Sequence, residues 1–286
     1  MNRIGKWLPL SLLPATLFLA VLLVAPLLLL FSFGLLEIER GEVTSRITTQ
    51  VYRDVLSDSF YRYLFVRTFL IAVSVTSLCL LFGYPVAYVY ARMRSPWRVL
   101  ILTSVFAPLL TSALARTFGW MVILGNQGVL NKGLVWLGIV DQPVQFLFTL
   151  GGVLIAMTQV LLPFMVVPLI TALESIPPAL EEAAQNLGAT RWQAFWRVTV
   201  PQSVPGIAAG VTLVFVLAFT EFTVSVLMGG GTFAVVSVNM FEAMTTLLDW
   251  SRGAVIASLL LVSSATIITV FNLLVRRFTP WMHTGR

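Results

Sequence analysis

Two ionisable side chains stand inside apolar runs of this chain. Glu221 lies in Leu-Ala-Phe-Thr-Glu-Phe-Thr-Val (217–224) and Arg116 in Leu-Ala-Arg-Thr-Phe-Gly-Trp (114–120). A charge in hydrocarbon costs about 2.5–3.5 kcal/mol on insertion scales, so each must face protein or a water-filled path. A carboxylate with aromatic faces beside it is chemistry for holding an organic cation. Phe219, Phe222 and Trp120 are the candidate aromatic neighbours. Two other fates stay open: Glu221 and Arg116 pair as a structural ion bridge, or Arg116 attracts an anion. At about 1.5 Å per helical residue, both lie roughly 25 Å from the same side of the membrane, so the two depths coincide.

Other chemistry is missing. Gly229 to Gly231 are followed by Thr-Phe, without the Lys-Ser/Thr that would hold phosphates in a Walker A loop. The sequence has one histidine, His283, and one cysteine, Cys79. No His-Glu-x-x-His, cysteine pair or Gly-x-Ser-x-Gly elbow occurs. The expectation is a non-enzyme with no catalytic residue, no metal and no cofactor, which cannot hydrolyse ATP itself.

The elements that must position these residues are membrane helices. Of 286 residues, 58% are apolar and only 10% charged, where a soluble domain carries about 25% charge. Mean hydropathy is +0.93. Apolar runs place six spans at 8–36, 68–91, 99–124, 145–173, 203–228 and 253–275. The first is too long for a signal peptide core and reads as an uncleaved span. Pro108 interrupts the third. Residues 37–65 read as an exposed loop with a short helix in which Val51, Val55 and Leu56 share a face. Residues 125–144 read as a Gly- and Asn-rich loop with a small helix near 130–137.

Basic residues set the orientation. Arg92, Arg94 and Arg98 crowd one short connection, and Arg3, Lys6, Arg191, Arg197, Arg276 and Arg277 fall on the same side of the alternating spans. That side is the cytoplasm by the positive-inside rule, with both termini on it. The basic residues form no run, so a nucleic-acid partner is not expected.

One polar interval of length stands in the apolar second half, 181–201. Pro177 and Pro178 suit a first helical turn. Leu180, Ala183, Ala184 and Leu187 recur at i, i+3, i+4 and i+7 as one apolar stripe. Gly188 suits a left-handed C-terminal residue. Thr190 with Gln193 makes a capping box for a second helix, which Trp192, Phe195 and Trp196 supply with an apolar face and Pro201 ends.

This interval resembles the EAA loop of inner-membrane permease subunits of ABC importers. The family pattern is Glu-Ala-Ala, three residues, Gly, nine residues, Ile, one residue, Leu-Pro; Glu182, Ala183, Ala184, Gly188 and Pro201 match, and Val198 and Val200 stand for the Ile and Leu. Residues 67–94, the segment Arg116 to Trp120 with Gly128-Val129-Leu130-Asn131, and 177–205 look most like spermidine/putrescine-type permeases. Permeases for iron, thiamine, phosphonates or sulfonates are similar. A surface-lying amphipathic helix pair is the plainer reading of the loop. A channel or secondary carrier is the rival class, although the internal repeat usual in secondary carriers is not visible.

The resemblance implies an all-α polytopic permease, a single transmembrane domain over 1–286 with a cytoplasmic coupling loop at 174–202. It also implies a bacterial inner-membrane location. The implied partners are a pair of ATPase subunits gripping that loop, a second similar permease, a periplasmic solute-binding protein and the lipid bilayer. The implied cargo is a small organic cation such as putrescine or spermidine, moved by alternating access, with Glu221, Arg116, Trp120, Phe219 and Phe222 along its path.

Overall fold

The computed structural model describes residues 4–39, 42–230 and 233–278; the chain ends and Gly231, Thr232, Arg40 and Gly41 lie outside them. The chain is almost wholly helical. Five described helices are long and apolar enough to cross a membrane: α1 (Ile4–Leu35, its apolar window beginning at Thr16), α3 (Ser59–Arg92), α7 (Leu150–Glu174), the run Arg191–Phe219, and α13 (Trp250–Phe278). A sixth candidate is counted only if a bent pair, Trp97–Leu110 with Ala113–Trp136, is taken as one span; it contains α4 (Trp97–Phe106) and α5 (Ala113–Leu124), and its two parts meet at 105°.

That bend is the form taken by the interruption expected at Pro108. Pro108 cannot donate a backbone N–H, and the chain tightens into a 3-10 turn at Ala107–Leu110. Thr111 then turns extended, with φ −100 and ψ 148, and its hydroxyl donates to the Pro108 carbonyl at 2.8 Å. Ser112 is extended too (φ −58, ψ 138), so α5 leaves in a new direction and carries Arg116 with it. Counting depth along one unbroken helix therefore misplaces Arg116.

Residues 37–65 are not an irregular loop. Strands β1 (Leu36–Glu39) and β2 (Glu42–Ile47) pair antiparallel, helix α2 (Gln50–Ser57) follows, and α3 begins at Ser59. The period-two alternation in Leu-Glu-Ile-Glu was the missed sign. Of the three residues expected on one face of α2, Val55 is buried but Leu56 is 58% exposed. Helix α6 (Val129–Trp136) agrees with the small helix expected there; Asn131 inside it is buried and ties the following loop through bonds to the Val144 backbone and the Gly125 carbonyl.

Contacts sort the chain into two units, Met1–Tyr63 with Asn239–Ser263, and Leu64–Val238 with Ser264–Arg286. In the first, the Tyr52 and Ser258 hydroxyls are 3.0 Å apart and Ser251 donates to the Leu36 carbonyl. A Cβ at Gly34 would stand 2.9 Å from the Tyr52 hydroxyl, so only glycine lets α2 lie this close. In the second unit, α7 is the central post. Helix α10 (Val200–Phe219) packs along it through Gly206 and Gly210. A Cβ at Gly206 would come within 2.4 Å of the Ala172 Cβ, and one at Gly210 within 2.6 Å of the Met165 Sδ. This is the small-xxx-small contact that lets membrane helices approach at backbone distance.

The fifth span also departs from a simple rod. It starts within the polar interval: α9 (Arg191–Ala194) runs through a π-helical segment, Phe195–Thr199, straight into α10. Pro201 does not end a helix; it occupies the first turn of α10. The wider π turn just before it relieves the clash that a proline ring makes with the carbonyl four residues back. At the far end α10 breaks at Thr220, and a short α11 (Thr223–Gly229) follows. Helix α12 (Val236–Thr245) then leads to α13. A buried bond from the Val236 N–H to the Thr68 hydroxyl, 3.1 Å, fixes the start of α12 on α3.

Candidate functional site

The polar interval folds as its sequence patterns dictate. Helix α8 (Pro178–Asn186) starts on Pro178, and Gly188 follows its end at φ +92, a backbone state that costs any side-chain-bearing residue strain. The capping box of α9 is closed on both sides: the Gln193 N–H donates to the Thr190 hydroxyl, 3.2 Å, and the Thr190 N–H to the Gln193 side chain, 3.0 Å. Not one residue of α8 is buried. Glu182 and Ala183 are exposed and Ala184 half-buried, while Leu187 is 90% exposed. The apolar stripe of α8 is thus left largely uncovered by the described residues, most of all at Leu187.

What holds this exposed helix in place is a carboxylate that the sequence reading passed over, Glu181 rather than Glu182. Its Oε1 accepts from Arg92 Nη2 at 2.6 Å, Arg92 Nε at 3.1 Å and the Thr199 hydroxyl at 2.6 Å; its Oε2 accepts from the Tyr88 hydroxyl at 3.3 Å. Arg92 also donates through Nη1 to the carbonyls of Ile176, 3.1 Å, and Leu173, 3.4 Å. Burial pushes the Glu181 carboxyl up, but the hydrogen bonds from Thr199 and Arg92, the Arg92 charge and the Tyr88 hydroxyl outweigh it and leave it below its ordinary value. The signal available in sequence was Arg92 itself, a basic residue at the end of a span.

Aromatic rings back this pair. Phe195 stacks on Trp192 with centroids 5.8 Å apart and meets Tyr88 and Tyr84 edge-on at 5.2 and 5.8 Å. Tyr84 in turn lies 2.9 Å from the Ser203 hydroxyl. A groove of about 700 Å³ runs between α3 and this segment, lined by Tyr84, Tyr88, Trp192, Trp196 and Arg191 among others.

Of the second group of candidate residues, Arg116 and Trp120 lie on α5, and Phe219, Glu221 and Phe222 sit at the break after α10. Glu221 is half-buried there, and its Oε1 accepts the Val224 N–H at 3.0 Å, satisfying a free donor of the first turn of α11. The Glu221 carbonyl accepts from the Ser237 and Ser225 hydroxyls at 2.8 and 3.2 Å, so the opened backbone is repaired by side chains. Arg116 does not pair with it: among the described residues the three ion pairs are Arg92–Glu181, Arg98–Glu174 and Arg252–Asp249. The Nε and Nη1 atoms of Arg116 are buried with no hydrogen-bond partner among the described residues. One turn on, Trp120 donates its indole N–H to Gln159 of α7 at 2.9 Å. Phe219 is 1% exposed and stacked on Phe215, so its ring is packed inside the helix bundle rather than on an open surface, whereas Phe222 is half-buried. Among the described residues no group of His, Cys, Asp and Glu could hold a metal ion.

Known proteins agree with this architecture. The chain aligns over 97% of its length with a chain of a bacterial ABC transporter involved in the import of the acidic polysaccharide alginate, at a TM-score of 0.75 and 22% identity, covering 98% of that chain. The spermidine/putrescine transport system permease protein PotB of Salmonella typhimurium is 37% identical over 70% of this chain and 69% of its own length. PotB of Escherichia coli K12 is 35% identical over 76% and 78%. A probable sulfate transport system permease from Marchantia polymorpha is 31% identical over 72% and 70%. Residues 79–284 match the family described as the binding-protein-dependent transport system inner membrane component. With that match spanning most of its length, and with helices that cross the membrane several times, the chain belongs to this family of inner-membrane transport permeases.

Proposed function

We propose that this chain is one permease subunit of an ABC importer for polyamines such as putrescine or spermidine. The observation that carries the cargo is the similarity to two PotB proteins across more than two thirds of each sequence. The exposed stripe of α8, ending in Leu187, supports docking of a separate ATPase on the coupling segment. The lack of a Walker A loop in the sequence supports leaving ATP hydrolysis to that partner. A second permease, a paired ATPase and an external binding protein complete the assembly, with both termini and α8 on the cytoplasmic side. Glu182, Ala183, Ala184, Gly188 and Pro201 shape the coupling segment. Glu221, Trp120 and Phe222 line or border the cargo path at the helix break. Closure of the ATPases pushes the coupling segments, the spans rock to open outward, and release of ADP and phosphate returns them inward.

The unpartnered nitrogens of Arg116 favour a second reading, an anionic solute, with the sulfate-system relative as its sequence support. Uptake of radiolabelled spermidine in cells with and without the chain separates the two. Competition by putrescine and indifference to sulfate support the polyamine; competition by sulfate or a phosphonate, or no polyamine uptake, overturns it.

A further inference from the structure

Glu181 and Arg92 join four elements at one point. Arg92 ends α3, and its guanidinium reaches both the carboxylate of α8 and the last carbonyls of α7, while Thr199, which bonds the same carboxylate, is buried in the π-helical start of the fifth span. The pair is mostly shielded, with side chains 17% and 15% exposed, whereas the nearby Arg98–Glu174 pair is 37% and 41% exposed. A planar guanidinium can bridge a carboxylate and two carbonyls at once; an ammonium cannot hold that fork. The covalent links are weaker guides to movement. Helix α8 is tied to α7 through Ser175–Pro177 and to α9 through the left-handed Gly188.

We infer that the Arg92–Glu181 pair is the joint through which displacement of the coupling helix α8 is delivered to the second, fourth and fifth spans together. This rests on the reading of the chain as an ABC importer permease. Without the joint, displacement of α8 is no longer passed on to the three spans and the motor turns over without moving them. Arg92, Glu181 and Thr199 are then positioning residues: they touch neither cargo nor nucleotide, and they leave the outward face of α8 untouched.

The test uses the complete importer, purified through a tag on this chain and reconstituted in proteoliposomes, and reads ATP consumed per spermidine imported. Glu181→Gln keeps the shape and loses the charge; Arg92→Lys keeps the charge and loses the fork. Both are expected to retain the ATPase and to raise the ratio by roughly 5- to 150-fold, the usual span of a coupling between sites. Thr199→Val is expected to raise it less, and Glu174→Gln not at all. An unchanged ratio in both Glu181→Gln and Arg92→Lys overturns the inference. So does loss of the ATPase from both, which would make the pair a brace for the shape of the loop. If the wild-type complex holds its ATPase but imports no spermidine, only the cargo is wrong. Stimulation of ATP hydrolysis by the cognate binding protein then decides the joint, with both variants expected to lose it and retained stimulation overturning it. A wild-type chain that carries no ATPase overturns both readings.

Discussion

The coupling segment and the helix break after α10 treat their charges in opposite ways. At the coupling segment every charge that is drawn inward is answered from within the chain: Glu181 has Arg92, Thr199 and Tyr88, and its apolar residues are the ones left outside. At the break Phe219 is packed on Phe215, and two nitrogens of the half-buried Arg116, Nε and Nη1, have no hydrogen-bond partner among the described residues. A buried charge without a partner is costly, and removing one member of a buried pair costs about 3–5 kcal/mol. The uncovered apolar side chains at α8 fit the docking of a separate subunit proposed above.

The sharpest way to break this contrast is at Gly188. Gly188→Glu forces a side chain onto a φ of +92 and adds a charge beside the exposed stripe. ATPase copurification and import should both fall more than about tenfold, the size of change that a local reorientation of a binding face produces. Retained import would remove the coupling segment from the mechanism. Next in size is Gly210→Leu. Its Cβ would meet the Met165 sulfur at 2.6 Å and the Met165 carbonyl at 3.3 Å, so α10 must shift from α7. Thermal unfolding in detergent should show a loss of about 1–3 kcal/mol, with α8 still able to bind its partner if the two regions are independent. Glu221→Gln is expected to be structurally mild, because the amide oxygen still accepts the Val224 N–H. Its stability should move by less than about 0.5 kcal/mol, while polyamine import drops; unchanged import would reduce Glu221 to a helix cap.

The smallest expected effect is one of pH. The Glu181 carboxyl lies below its ordinary value, so the stabilisation it brings is fully present above that ordinary value and is lost as pH falls through the lowered one. The groups facing it are Arg92, Tyr88 and Thr199. The difference in melting temperature between wild type and Glu181→Gln should stay constant from neutral pH to about 5 and narrow only below. A difference that narrows already between pH 7 and 6 would contradict the assigned cause.

Patterns with a short-range cause were readable from the residues alone. The proline start of α8, the left-handed Gly188 and the Thr190–Gln193 box each depend on neighbours within a few residues, and each is present. Span number came from hydropathy, which needs no tertiary information. What escaped depended on distant partners or on competing local outcomes. Pro108 and Pro201 look alike in sequence, yet one turns the chain by 105° and the other is absorbed by a π turn, because α10 is held along α7 through Gly206 and Gly210. Glu181 and Glu182 are adjacent acids, and only the position of Arg92, 89 residues earlier, selects which turns inward. The matching depths of Arg116 and Glu221 assumed two straight helices, and both are broken.

The central claim is that a separate motor subunit covers the outward face of α8. A photo-crosslinking amino acid at Leu187, which is 90% exposed, tests it in intact cells. The account predicts an adduct between this chain and an ATP-binding subunit, its yield changing with nucleotide. An adduct with lipid or with the external binding protein, at wild-type import, would contradict it.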